Sequence, residues 1–360
     1  LRAQRNVAWD FQDGVSMVFC WVFPDCGARG YNPVHMPNPE PTLNSANSIL
    51  GLNLDGERLL LVYGSPSGIV QERLTVSMPA GRSFSSILEL ITSSADRLLM
   101  VTQAQHLPLP DCVSVSITGN YDPVNGTLES SVDFPEWKSE PLKSQLGLRF
   151  NLPIFIEQRP AAGLLAEIFF GSGDTGGTQM YLSFNPVIRA SFSVNGVLYQ
   201  SPAGFAGAIG RIFVSDEPDA RLNRRLTLND YVSLNGLALQ ALRLQPTHWD
   251  ITTTGDQVLQ SASEGDPYAI EIVEQAARVL GEHLAPLIHL LRPRQIYISY
   301  PISQAAANFL PPLREAVTAA SGLGGLELPQ ISASKLNHRQ PELEALAPAV
   351  SALRSRATSR

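Results

Sequence analysis

Lysine, cysteine and long apolar runs are all scarce in this 360-residue chain, and each scarcity closes off a class of protein. The lysines are Lys138, Lys143 and Lys335, and none follows a glycine. The Gly-Lys-Ser/Thr signature of a Walker-type phosphate loop is therefore absent, which excludes P-loop NTPases. Cys20, Cys26 and Cys112 are too sparse, and odd in number, for the disulfide framework of a small secreted scaffold, so a cytoplasmic location is expected. Cys20, Cys26 and His35 could be drawn as a metal site, but a closed zinc site takes four ligands and no Cys-x-x-Cys pair occurs; no metal is expected. The longest opening apolar run, Met17 to Phe23, stops at Pro24, far short of a membrane span. A net charge of −7 leaves the chain as a whole without the basic footprint of a nucleic-acid binder.

What is present suits a large globular body. Apolar residues make up 44% and charged residues 16%, enough to bury a sizeable core, and 360 residues exceed what one core usually serves. Two domains, or two lobes on one plan, are expected.

Residues 1–48 mix aromatics and prolines without a helical period and read as an irregular arm or linker. From Ile49 the pattern changes. Ile49 to Asn53, Arg58 to Tyr63 and Ile69 to Val76, separated by Asp55-Gly56 and Ser65-Pro66-Ser67-Gly68, predict a three-strand antiparallel meander. A helix carrying Phe84, Ile87, Leu88, Ile91, Leu98 and Leu99 follows, then a strand over Val113 to Ile117. The order recurs. Met180 to Phe184, Val187 to Val194 and Val197 to Tyr199 form a second meander, with Asn195-Gly196 as its tight turn, joined later by a helix over Pro267 to Leu291 and a strand over Ile296 to Ser299. Two lobes so built leave a cleft between them, and clefts are where ligands sit. A last helix is predicted over Pro341 to Arg354.

Several tempting motifs have plainer readings. Gly171, Gly173 and Gly176 satisfy G-x-G-x-x-G but follow a predicted helix and precede a strand, the reverse of a dinucleotide fingerprint, and read as a helix-ending loop. Asn125-Gly126-Thr127 spells a glycosylation acceptor but reads as a hairpin turn after Asp122-Pro123. His283 and His289, six apart on a helix, do not share a metal-binding face. Ser201 and Ser261 lack a nucleophile elbow.

The segment Pro153-Ile154-Phe155-Ile156-Glu157-Gln158-Arg159-Pro160-Ala161-Ala162-Gly163-Leu164-Leu165-Ala166-Glu167 resembles the ROK family (repressors, open reading frames and sugar kinases), which carries an apolar strand, E-N-D-A-N and a small-residue helix there. Gly51-Leu52-Asn53-Leu54-Asp55-Gly56 is similar to the family's G-I-D-I-G-G phosphate turn. Gly119 to Trp137 is similar to its stretch ending in N-L-P-G-W, and Gly204-Phe205-Ala206-Gly207-Ala208-Ile209-Gly210-Arg211 to its G-F-A-G-E-I-G-H. About 300 residues follow the family order. The resemblance implies an α/β, two-lobed actin-like ATPase (ribonuclease H-like) fold, each lobe a mixed sheet with a three-strand meander and helices. It also implies an organisation of an N-terminal arm (1–48) without a complete winged helix, an N-terminal lobe (49–157), a C-terminal lobe (158–300) and C-terminal helices (301–360) packing back on the first lobe.

Departures from the family pattern shape the functional expectation. In the family's kinases the D of E-N-D-A-N is the general base; here that position is Arg159, whose guanidinium stays protonated. The phosphate turn carries Asn53, Asp55 and Glu57 in place of an acid, a glycine and a hydroxyl residue, with Gly56 retained as a remnant of the nucleotide site. The second phosphate loop, G-T-G-I-G in the family, is Phe184-Asn185-Pro186-Val187-Ile188, where proline removes an amide donor. The family's zinc cluster has no counterpart between Ile212 and Thr227. Among sugar-contacting positions Glu157 keeps its type, while Asp133, Gln158, Ala208, Arg211 and Asn229 replace the usual residues. The expectation is a non-catalytic, sugar-kinase-like protein of regulator parentage whose cleft (Asp133, Glu157, Gln158, Arg159, Arg211, Asn229) holds a sugar or an anionic sugar derivative. Arg159 and Arg211 would either grip an acid group or pair with carboxylates such as Glu157 and Asp133. No cofactor is expected; ATP with magnesium belongs to the alternative, an active ATP-dependent sugar (hexose) kinase. The resemblance implies a homodimer. DNA is a partner only if a winged helix lies upstream, since residues 1–37 are too short to form one.

Overall fold

A computed structural model describes residues 48–171, 176–185, 187–201, 206–220, 222–299, 301–322 and 327–358. The arm predicted over 1–48 lies outside the described residues but for its last, as do Cys20, Cys26 and His35, Gly173 of the glycine motif, Pro186, and Gly204-Phe205.

The first half runs β1 (Ile49–Leu54), β2 (Arg58–Gly64), β3 (Val70–Ser77), α1 (Phe84–Ala104), β4 (Cys112–Ile117), the hairpin β5 (Asn120–Asp122) and β6 (Thr127–Ser130), α2 (Leu142–Phe150) and β7 (Ile154–Gln158). These strands, β5 and β6 apart, make one sheet in the order β3-β2-β1-β4-β7, antiparallel through the meander and parallel where helices intervene. β1 is buried along its whole length because it has a strand on each side and a helix layer on each face. β3, at the edge, alternates between half-buried and exposed, as one covered face requires.

The second half runs α3 (Arg159–Ala166), prolonged by a π-turn over Glu167–Gly171, then β8 (Thr178–Ser183), β9 (Arg189–Val194), β10 (Val197–Leu198), α4 (Asn229–Val232), α5 (Leu234–Leu244), α6 (Gly255–Glu264), α7 (Pro267–Leu291), β11 (Gln295–Ile298), α8 (Ala306–Ser321), β12 (Gln330–Ala333) and α9 (Gln340–Thr358). Its sheet, β10-β9-β8-β11-β12, repeats the plan of the first: a meander, then two parallel strands. The duplicated order read from the sequence is thus the order of the fold. β12 was not foreseen; within 301–360 the chain contributes α8 against α7, β12 to the second sheet and α9 to the first.

Local chemistry accounts for the helix ends. Asp266 accepts from the Tyr268 and Ala269 amides while Pro267, lacking an amide proton, takes the first position of α7. Thr254 and Gln257 form a reciprocal capping box on α6, and Ser83 caps α1. Gly171 closes the π-turn, so the described part of the glycine motif ends a helix. Asn125-Gly126 turns the β5–β6 hairpin, with Gly126 at φ 71° and its amide donating to the Asp122 carbonyl.

Each lobe has its own core. In the first, Leu52, Leu61, Ile91, Val115 and Phe134 pack together with Trp137, whose ring stacks on Phe134 at 4.5 Å and whose indole N–H donates to the Arg82 carbonyl. The stretch similar to N-L-P-G-W is therefore a core plug. The second centres on Leu182, Phe184, Leu237, Ile272, Leu280 and Phe309. Between the two sheets, α3 lies against β8, β9 and α9, and α9 covers β1, β2, β4 and β7. Gly163 is the point of closest approach, since a Cβ there would fall inside van der Waals contact of the Tyr181 ring on β8.

Gly163→Ala should therefore destabilise the protein by about 2 kcal/mol through overpacking of a site with no room to relax. Urea unfolding with an unchanged m-value checks it.

Candidate functional site

The end of β1 and the start of α3 meet at a buried ionic cluster. The turn after β1 carries Asp55, which is buried. Its Oδ1 accepts from the Glu57 amide (2.9 Å) and the Arg58 amide (2.8 Å). In the family these turn amides face phosphate; here the chain's own carboxylate takes two of them. Asp55 Oδ2 lies 3.6 Å from Arg159 Nη1 and 3.7 Å from Arg58 Nε.

Arg159 opens α3. Gln158 is extended, and Pro160 is tolerated because first-turn amides have no intrahelical acceptor. The guanidinium is only 7% exposed. Its Nε donates to Glu344 Oε2 at 3.3 Å, from the second turn of α9. Glu344 also accepts from Asn53 Nδ2 (3.1 Å), Gln340 Nε2 (2.7 Å) and the Tyr181 hydroxyl (3.2 Å), so β1, α3, β8 and α9 converge on one carboxylate. Burial works against the Arg159 charge, but Glu344 and then Asp55 outweigh it and hold the group above its ordinary range. Burial, then the Glu344 charge, pushes the Tyr181 phenol well above its usual range. The cluster is made of residues distant in sequence, and only Asn53, Asp55 and Arg159 carried a signal.

Two clefts adjoin it. The smaller, about 350 Å³, is lined by Thr118, Asp133, Arg159, Ser183, Asn185 and Arg189. Asp133 accepts the Thr118 hydroxyl and packs against Gly56, where a side chain would strike it. The larger, about 600 Å³, is lined by Tyr121, Glu157, Gln158, Arg189, Tyr199 and Gln200 among others. Tyr199 stacks on Phe192 with centroids 4.6 Å apart. Burial lifts the Glu157 carboxyl from its ordinary 4.5 to about 7, although a hydrogen bond from Gln200 Nε2 (2.8 Å) favours the charged form.

Three expectations need correction. Arg159 pairs with Asp55 and Glu344, not with Glu157 or Asp133, because its side chain turns toward β1 and α9. Arg211 is exposed and lines neither cleft. Asn229 lines neither cleft and braces the loop after β8: its Oδ1 accepts the Ile188 amide at 2.8 Å. At the start of that loop Phe184 is fully buried against Phe309, with ring centroids 6.0 Å apart. Glu157, Gln158 and Asp133 do line the clefts, and Asn53, Asp55 and Gly56 lie beside Arg159 and Asp133. Arg189, Glu344, Tyr181 and Gln200 carried no motif.

Where the family has its zinc cluster, the chain uses ions of its own. Arg224 grips Asp230 through both Nη atoms (2.8 and 2.6 Å), and the Thr227 amide and hydroxyl donate to the same carboxylate. Among the described residues no group of His, Cys, Asp and Glu could hold a metal ion, and no helix is long and apolar enough to cross a membrane.

The ROK family model matches residues 85–344. The chain is 24% identical to a xylose repressor of Caldicellulosiruptor bescii, over 84% of this chain and 78% of that protein. It is 23% identical to a glucokinase of Thermotoga maritima, over 75% of this chain and 86% of that one. In three dimensions it is similar to a ROK family glucokinase from Streptomyces griseus in complex with glucose and AMPPNP, with a TM-score of 0.71 at 19% identity, covering 84% of this chain and 99% of the other. At that identity the likeness shows the fold, a two-lobed actin-like one.

Arg159→Ala should cost about 3–4 kcal/mol, because it leaves Glu344 buried without a cation and Asp55 with only the half-exposed Arg58. Chemical denaturation measures this. Glu157 sets a pH dependence whose sign follows from its raised pKa. The stability its protonated form lends is complete below 4.5 and lost as the pH rises through about 7. The unfolding midpoint should fall from about pH 5 to about pH 8 by more in the wild type than in Glu157→Gln, which cannot titrate.

Proposed function

The chain belongs to the ROK family, and we propose that within it the protein is a non-catalytic, sugar-kinase-like body that senses a carbohydrate ligand in the manner of a transcriptional regulator. One observation carries this reading: Asp55 and Arg159 occupy each other. The carboxylate fills turn amides that a nucleotide phosphate would need, and the guanidinium it faces stands where the family's base would lift a proton. Loss of a positioned base alone forfeits on the order of a hundred- to ten-thousand-fold in rate. The second phosphate loop adds to this with a buried phenylalanine and an amide taken by Asn229.

The cleft beside the cluster keeps what a sugar site needs. Glu157 and Gln158 end β7, Gln200 and Ser191 face them, and the Phe192–Tyr199 stack offers an apolar plane. Relatives of both kinds, a repressor and a glucokinase, share the body, so the fold alone does not choose between sensing and phosphorylation. The cluster favours sensing. The ligand is a sugar or an anionic derivative of one. The reading carries with it a homodimer, a cytoplasmic location, and DNA contact only through a winged helix ahead of the described residues.

A coupled assay for ADP release over a panel of hexoses and pentoses, run beside a melting-temperature screen with the same sugars, tests the proposal. Expected is a ligand-dependent rise in melting temperature with no sugar-dependent ADP release. Release that Gln158→Ala abolishes would restore the kinase reading.

A further inference from the structure

Of the cations near the cleft, Arg159 has its charge balanced by Asp55 and Glu344. Arg189, the first residue of β9, is placed differently. Its Nη1 donates to Gln158 Oε1 (3.2 Å) and its Nη2 to Asn120 Oδ1 (2.9 Å), both neutral amide oxygens. Among the described residues no carboxylate pairs with it. A guanidinium has five N–H donors, so the Nε–H and one hydrogen on each Nη are left over. Arg189 is half-buried and, with Pro160, lines both clefts, which puts it in the wall they share.

Two further features bring positive potential to the same place. Burial first, and then the nearby positive charge of Arg211, lowers the proton affinity of Arg189. Like charges repel, and an anion relieves that repulsion. The N-terminus of α3 also opens here. Pro160 and Ala161 line the larger cleft, and no side chain caps the helix at Gln158. The acids opposite are Asp133 across the smaller cleft, engaged by the Thr118 hydroxyl, and Glu157 across the larger, engaged by Gln200.

We infer that an acid group on a sugar-sized ligand, a phosphate ester or a carboxylate, seats on Arg189 at the junction of the two clefts. This rests on the reading that the cleft holds a carbohydrate and names the class of that carbohydrate. Asn120 and Gln158 hold the guanidinium plane in place without neutralising it, so the fork is presented ready-made to a planar or tetrahedral oxyanion. Neutral sugars would leave a half-buried cation unpaired.

Inorganic phosphate and sodium acetate, each titrated into the full chain against sodium chloride at matched ionic strength, probe the seat without presupposing a sugar. Melting temperature is the readout. For the wild type, phosphate or acetate should raise it beyond chloride. Arg189→Gln should weaken the apparent affinity by about tenfold or more, the loss of one charge-assisted contact. A larger effect of phosphate assigns a phosphate ester, and a larger effect of acetate a sugar acid. Arg211→Gln, at an exposed position whose loss the fold tolerates, should weaken binding by about two- to fivefold and keeps the test valid if Arg189→Gln melts early. No increment over chloride with either anion, or an increment unchanged in both variants, overturns the seat. Such a failure leaves the sensing reading intact if a neutral sugar still raises the melting temperature, whereas sugar-dependent ADP release would sink the sensing reading alone.

Discussion

The Asp55–Arg159–Glu344 cluster is the constraint on which the rest of the molecule turns. Charges this deeply buried are tolerated when each faces a partner of opposite sign; Arg159 has two, although its Nη1 makes no hydrogen bond. Here the partners come from the turn after β1, the first residue of α3 and the second turn of α9, with Tyr181 of β8 and Asn53 of β1 completing the shell. None of these elements can move far without stranding a charge. The cluster therefore ties the helix between the two sheets to both of them, and it does so where a kinase of this fold would bring phosphate and hydroxyl together.

That location explains why the surrounding substitutions agree with one another. An aspartate in a phosphate turn would be a defect if nucleotide had to bind, because it sets a carboxylate against phosphate. Facing an arginine, the same aspartate closes the turn on itself. In the loop after β8, Phe184 lies in the core and Asn229 accepts the Ile188 amide. Asp230, in the next position, anchors Arg224 and so holds the segment that lacks the family's metal cluster. Each of these residues makes its contact inside the chain. Buried aromatic surface, satisfied amides and paired charges all favour a body that keeps its shape without nucleotide or metal.

The larger cleft did not follow that course. Glu157, Gln158, Gln200 and Arg189 remain at its walls, and Arg189 is held by neutral oxygens that leave its charge outstanding. A turn occupied by its own carboxylate next to an open cleft is the physical basis for the proposed reading of the protein as a sensor. Ligand binding between two lobes connected through α3 and α9 has the geometry needed to bias their arrangement.

Much of this was legible in the chain before any coordinates. The two meanders, the helix over Pro267 to Leu291 and the duplicated order follow from period-two and helical spacing, turn residues and Pro–Gly punctuation, all of which act over a few residues. The inversion of charge at residue 159 was equally plain, because it needs only a residue type at a motif position. β12 was missed, being four residues long with only its second fully buried. What the arginine would do could not be read, because its partner Glu344 lies 185 residues away on a helix whose sequence shows nothing beyond helical spacing. Arg211 and Asn229 were assigned to the cleft by position in a motif, and the packing of β9 against the following loop sent them elsewhere. Arg189 bore no motif at all, and its role comes from where Asn120 and Gln158 happen to point. Local propensity and residue chemistry thus determined the elements, the family body and the presence of an arginine where the family carries its base. Which charges cancel and which stay available was decided only by tertiary structure, since Coulomb energy depends on distance and burial, and neither is set by separation along the chain.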